Sequence, residues 1–234
     1  MTTTNRHILL IDAAHEPGPV LARALARQGL AVTAWSANPT DDVPDREDGL
    51  LWATQATVSE VLAAHQPFDA VIFNIPAVDE GALMASGPPG AVADAVADDT
   101  SRFLSTMQAV LGAMVATGRG QIWQMVLEDS FGYYLSLPYS PVSHNARLGC
   151  IRSLAKEVTM FKTYVNAVAI QPLTEMIEIR KARGLADFNS YCLRYKPVTA
   201  DTVALVMADW IRQDTLPFSG TIMHLGYGVY DANY

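Results

Sequence analysis

The chain reads as an α/β protein: one parallel β-sheet with helices on both faces. Three observations predict this. Short runs such as HILLIDA and FDAVIFN are apolar at consecutive positions, the pattern of strands buried on both sides. Helix-length amphipathic segments lie between these runs, and regular strand–helix alternation favours parallel pairing with helical crossovers. Half of the 234 residues are apolar, enough for one large core. The sequence contains no internal repeat, low-complexity segment or linker, so residues 1–234 are read as a single domain.

The elements follow in order. Residues 7–13 form the first strand. Residues 19–28 (PVLARALARQ) have helical periodicity and stop at Gly29, a natural C-terminal signal. Residues 31–35 and 50–54 are the next strands. Residues 57–65 form a helix opened by Thr57 or Ser59, and residues 68–74 another fully apolar strand. The stretch 77–97 is rich in Gly, Pro and Ala, and its first part reads as loop. A long helix is expected over 98–117, closed by Gly118 and Gly120. Residues 121–126 are a strand, 141–161 a helix and 165–170 a strand. Residues 174–195 are helical in places and carry charges. Residues 199–213 form an amphipathic helix capped by Thr199 or Asp201. A last strand spans 219–225, before the turn Gly226-Tyr227-Gly228.

Composition excludes several classes of function. A net charge of −8 argues against nucleic acid, which needs clustered Lys and Arg. It equally disfavours an anionic membrane surface. No apolar run approaches the ~20 residues that span a bilayer, and the start MTTTNRHILLIDAA lacks the features of a signal peptide. A cytoplasmic location is expected. Cys150 and Cys192 have no metal-ligand spacing and read as free buried thiols. His7, His65 and His224 also lack the spacing of a metal site, so no metal is expected. His15 beside Glu16 reads as a solvated turn. Tyr227, Tyr230 and Tyr234 are interface anchors or satellite core.

Residues 152–169 read RSLAKEVTMFKTYVNAVA. This segment resembles the helix-then-strand unit of the short-chain dehydrogenases/reductases, a family of NAD(P)-dependent oxidoreductases. The likeness extends along nearly the whole chain. Residues 69–77 fall where that family has a strand and its NNAG turn. Residues 107–123 (MQAVLGAMVATGRGQIW) resemble its central helix and following strand, and residues 219–228 its closing strand. The resemblance implies a Rossmann-like doubly wound sheet of strand order 3-2-1-4-5-6-7 and assembly into dimers or tetramers.

The positions that carry that family's chemistry differ here. Its phosphate loop, TGxxxGxG, brings bare backbone N–H groups to a pyrophosphate at a helix N-terminus. Aligned to it, this chain has Ile11 and Asp12 for the first pair, Glu16 for the second glycine and Gly18 for the third. Carboxylates at 4–6 Å from a pyrophosphate cost on the order of 1–4 kcal/mol, and Pro17 and Pro19 each remove a donor. Where the ribose-holding acid is expected stand Trp35, Ser36 and Ala37. The catalytic tetrad Asn-Ser-Tyr-Lys aligns with Asp99, Leu127, Ser140 and His144. Leu127 has no hydrogen-bonding group, an alcohol is a far weaker acid than a phenol, and a histidine is charged only when protonated. Tyr139, one residue from the tyrosine position, is five residues from His144 and off its helical face.

The pattern implies a degenerate dehydrogenase without NAD or an intact catalytic set of its own. It resembles the inactive subunits of a few two-gene dehydrogenases, among them the hydroxyphenylmethyl-succinyl-CoA dehydrogenase of anaerobic toluene degradation. The expected role is structural support of an active NAD-dependent paralogue in a hetero-oligomer, acting on a hydroxyacyl-type substrate, CoA-linked in the dehydrogenase it resembles. Two alternatives stand beside it. One is non-redox chemistry (lyase, isomerase or cyclase) in the old cleft, using Tyr134, Tyr139 or His144. The other is a ligand-binding regulatory homo-oligomer.

Overall fold

Strands with apolar residues on both faces need a helical layer on each side, and the computed structural model has that architecture. It describes residues 5–38, 46–76, 89–128, 141–182 and 197–226. Seven parallel strands are β1 His7–Ile11, β2 Ala31–Trp35, β3 Leu50–Trp52, β4 Ala70–Phe73, β5 Gly120–Leu127, β6 Thr163–Ile170 and β7 Ile222–Leu225. Their order is 3-2-1-4-5-6-7, the doubly wound arrangement. A two-residue strand, Arg46–Glu47, adds an antiparallel edge beside β3. The helices are α1 Gly18–Arg27, α2 Val58–His65, α3 Pro89–Thr117, α4 Pro141–Val158, α5 Thr174–Ala182 and α6 Ala200–Ile211.

Side-chain alternation along the strands divides the core into two. Ile8, Leu10, Ile72, Trp123 and Met125 pack with α1, α5 and α6. Leu9, Ile11, Val71, Phe73 and Ile122 pack with α2, α3 and α4. Each strand thus feeds both layers, which is why its sequence shows no polar face. On the first side the Trp123 and Trp210 indoles stack 5.1 Å apart at 13°. Gln121 ties this contact down: its Nε2 donates to the Trp210 and Gln213 carbonyls, and its Oε1 accepts from Trp123 Nε1. The C-terminal carbonyls of α6 are satisfied in the same stroke.

Local signals set most boundaries. Thr57 caps α2 in a capping box with Glu60, and Thr199 caps α6. Gly29 and Gly118 follow α1 and α3 with φ of 77° and 69°, the left-handed stop that glycine adopts without strain. Residues 77–88, where a loop is expected, lie outside the described residues, and the expected helix start at 98 is corrected. The helix begins at Pro89, nine residues before the expected 98, and runs 29 residues; proline is well tolerated in a first helical turn. The helix expected over 141–161 ends at Val158 and passes into a 3₁₀ turn, Thr159–Phe161. Cys150 is a free thiol but only half-buried. Cys192, the 227–228 turn, the C-terminal tyrosines and residues 183–196 lie outside the described residues.

Gly18 positions the first crossover. A Cβ there would stand 2.3 Å from the Ala13 carbonyl oxygen, so only glycine lets α1 start this close to the end of β1. Gly18→Ala is expected to cost about 2–3 kcal/mol by overpacking and to lower the thermal midpoint by roughly 5–10 °C. An unchanged midpoint in differential scanning calorimetry would show that the loop yields instead.

Candidate functional site

Open parallel sheets hold ligands beyond the carboxyl ends of the strands, at the point where strand order reverses. Here that point lies above β1 and β4. The loop from Asp12 to Pro17 bridges it, and the N–H groups of Ala13, Ala14 and His15, with that of Gly18 at the helix start, are spent within the protein. Ala13 N–H donates to the Trp35 carbonyl and His15 N–H to that of Asp12, while Gly18 N–H donates to His15 at 2.6 Å. Ala14 N–H donates to Ser36 Oγ at 2.7 Å. Pro17 and Pro19 have no N–H to give. From β4, Asn74 Nδ2 clamps the loop by donating to the Asp12 and His15 carbonyls at 3.1 and 2.9 Å. Asp12 sits in the left-handed region at φ 60°. His15 is exposed, as expected of a solvated turn.

Ser36 and Trp35 are also committed. Ser36 is the acceptor for Ala14, and Trp35 Nε1 donates to the Gln55 carbonyl. The crevice left between Ile11, Trp35 and Phe73 on the sheet, Asp12 in the loop after β1, and Arg102, Phe103 and Arg147 on the helices holds about 40 Å³. Small-molecule sites occupy ~300–1,000 Å³. Among the described residues, the N–H groups of Ala13, Ala14, His15 and Gly18 are bonded within the protein, and Ser36 and Ala37, directly after β2, carry no carboxylate.

The inner wall of the crevice is a buried ion pair. Asp99 of α3 and Arg147 of α4 have side chains only 6% and 2% exposed. Arg147 grips the carboxylate with both prongs, Nε to Oδ2 at 3.0 Å and Nη2 to Oδ1 at 2.5 Å. Arg102 adds a longer contact to Oδ1 at 3.3 Å. The Arg147 guanidinium lies 4.8 Å from the Phe103 ring centre, and its Nη1 reaches Gln124 Oε1 at 3.4 Å. Gln124 Nε2 in turn donates to the Asn74 carbonyl at 3.1 Å. One polar chain thus runs from the β1–α1 loop through β4 and β5 to both long helices. Asp99, aligned with the relay asparagine, is a structural counter-ion here.

Arg147 escaped the sequence reading, though a signal was present. His144, Arg147, Ile151, Ala155 and Val158 form the buried stripe of α4. Asp99, Phe103, Met107, Val110 and Met114 form that of α3. Each stripe has one formally charged carboxylate or guanidinium, of opposite sign, and a charge inside an apolar stripe requires a partner.

Leu127 ends β5 fully buried in the α1 layer. His144 is buried too and hydrogen-bonds to the Leu127 backbone, which stabilises its protonated form. Desolvation dominates, with Arg147 adding repulsion, and the ring is pushed down to about 4. It is neutral at pH 7 and supplies no standing positive charge. Ser140, Tyr134 and Tyr139 lie outside the described residues. Further along the same edge, Glu128 follows β5 and accepts a 2.6 Å hydrogen bond from His224 Nδ1 of β7. This pair spans β6 on the face where Ala169 is the register partner of His224. Among the described residues no cluster of three or more His, Cys, Asp or Glu could hold a metal, and no helix is long and apolar enough to cross a membrane.

The His144 environment makes stability depend on pH. The folded-state pKa is below the unfolded value, so the unfolded chain takes up the proton first as pH falls. Stability contributed above pH 6.5 is expected to be lost between 6.5 and about 4, by roughly 3 kcal/mol. His144→Gln should flatten that part of the denaturation profile; an equally steep profile in the variant would assign the slope elsewhere.

No protein-family model matches the chain, and no curated protein sequence does. Solved structures match along nearly its whole length. An oxidoreductase of the short-chain dehydrogenase/reductase family from Burkholderia thailandensis is 20% identical with a TM-score of 0.69, covering 96% of this chain and 92% of that one. A xylitol dehydrogenase with bound NAD+ is 16% identical with a TM-score of 0.71, covering 97% and 100%. A protein described as a dehalogenation enzyme is 17% identical with a TM-score of 0.70, covering 96% and 98%. Likeness at these identities is likeness of backbone, and it establishes that this chain has the short-chain dehydrogenase/reductase fold.

Proposed function

We propose that this chain is a non-catalytic member of a dehydrogenase assembly. It carries out no nicotinamide-dependent hydride transfer of its own and supports an active NAD-dependent paralogue, one that oxidises a hydroxyacyl-type, CoA-linked substrate. The resemblance to inactive subunits of two-gene dehydrogenases suggests that substrate class. The observation that carries the reading is the crevice. Its loop donors bond to the protein's own carbonyls, and the carboxylate at the relay position is neutralised by Arg147.

The helix surfaces support a pairing role. Gly112 in α3 and Gly149 in α4 are exposed, and a Cβ at either would meet nothing within 4 Å. Helix-interior glycine costs about 1 kcal/mol relative to alanine, and among the described residues no contact accounts for it. Close approach by helices of another subunit would. Leu104 and Val142, on the same two helices, are exposed apolar side chains.

The test is co-expression with an intact short-chain dehydrogenase paralogue from the same genome, followed by NADH titration. The chain alone should show no saturable binding below about 1 mM, and the co-purified pair should bind through the partner. Micromolar binding by this chain alone would sink the reading.

A second reading, non-redox acid–base chemistry at the carboxyl edge, is favoured by the Glu128–His224 pair. The Glu128 side chain is 15% exposed and that of His224 43%, a sheltered carboxylate orienting a more accessible imidazole. Its test is dehydration of a hydroxyacyl-CoA by the isolated chain without nicotinamide. Activity lost in His224→Gln and kept in His144→Gln would establish it, and no activity would exclude it for that substrate class.

A further inference from the structure

We infer that the Asp99–Arg147 pair is a positioning device that fixes α3 relative to α4, rather than a source of stability. A buried ion pair repays little more than its desolvation cost, and well-packed apolar residues often replace it without loss. What it adds over apolar packing is direction. A guanidinium fork meets a carboxylate in one plane and at one distance, whereas apolar side chains tolerate repacking.

The surroundings allow little choice of geometry. From α3 come Asp99, Arg102 and Phe103, spaced i, i+3 and i+4 on one helical face. Asp99 receives both prongs of Arg147, and Phe103 lies 4.8 Å from the same guanidinium. From the sheet, Gln124 accepts from Nη1 at 3.4 Å and is itself held by the Asn74 and Met125 carbonyls. Arg147 is therefore referenced both to the neighbouring helix and to β5, and sliding of α4 along α3 would break the fork. The outward faces that carry Gly112 and Gly149 inherit this spacing. That last consequence rests on the pairing role proposed above; the positioning itself does not.

The test separates positioning from stability. Asp99→Leu/Arg147→Met replaces the pair by apolar side chains. Nitroxide labels at Gly112→Cys and Gly149→Cys, in a Cys150→Ala/Cys192→Ala background, report the α3–α4 separation by pulsed electron paramagnetic resonance. With the native pair a single narrow distance is expected. In the double variant the thermal midpoint should stay within a few degrees while the distance shifts or broadens by more than about 2 Å. The single variant Arg147→Met, which leaves Asp99 buried with only the longer Arg102 contact, should lose roughly 10 °C. An unchanged distance in the double variant would overturn the inference. A large loss of stability in it would do the same by making the pair a stabilising element. In co-expression, the double variant should bind the paralogue at least tenfold more weakly. Failure of the native chain to bind the paralogue would count against the pairing role alone, because the distance measurement still decides the positioning.

Discussion

A guanidinium removed from water must find a counter-charge and acceptors for its N–H groups, and at Arg147 the surrounding structure is arranged to provide them. Asp99 gives the charge, Gln124 a further acceptor and Phe103 a π face. Meeting those demands joins elements far apart in sequence: α3, α4, β5 and, through Asn74, the end of β4 and the loop after β1. Loss of one partner would strand the others in a medium that penalises unpaired charge. The carboxyl end of the sheet is therefore a connected polar unit.

That unit occupies the place where this architecture elsewhere receives its ligand. The fold survives because it depends on other interactions: two apolar layers, each fed by alternate residues of every central strand. Core and crevice are separable. The strands keep their register whether the loop above them cradles a phosphate or closes on itself, so sequence change at the loop and at the relay position leaves the sheet intact. The likeness of backbone at 16–20% identity shows how widely sequence can vary while this sheet is kept.

Much of the architecture was legible because it is governed by short-range rules. β1 and β4 are recognisable from unbroken apolar runs, α2 and α6 from Thr57 and Thr199, and the ends of α1 and α3 from Gly29 and Gly118. The first turns of α3 were hidden by a Gly- and Pro-rich stretch whose composition says loop, although the backbone is helical from Pro89. The Asp99–Arg147 pair was hidden for another reason. Its halves lie 48 residues apart, and each looked locally explicable, one as an altered relay residue and the other as a charge on a helix. The mutual requirement emerges only when the two buried stripes are compared.

The stacked indoles of Trp123 and Trp210 have an optical consequence. Two chromophores 5.1 Å apart and inclined by 13° couple their electronic transitions, and the handedness of that coupling appears in circular dichroism. Trp123 belongs to the central sheet and Trp210 to α6, so the band reports the seating of the last helix rather than helix content. Trp35 forms part of the crevice wall on the opposite layer. The protein thus contains, unlabelled, one spectroscopic gauge for its core and a separate emitter beside its crevice.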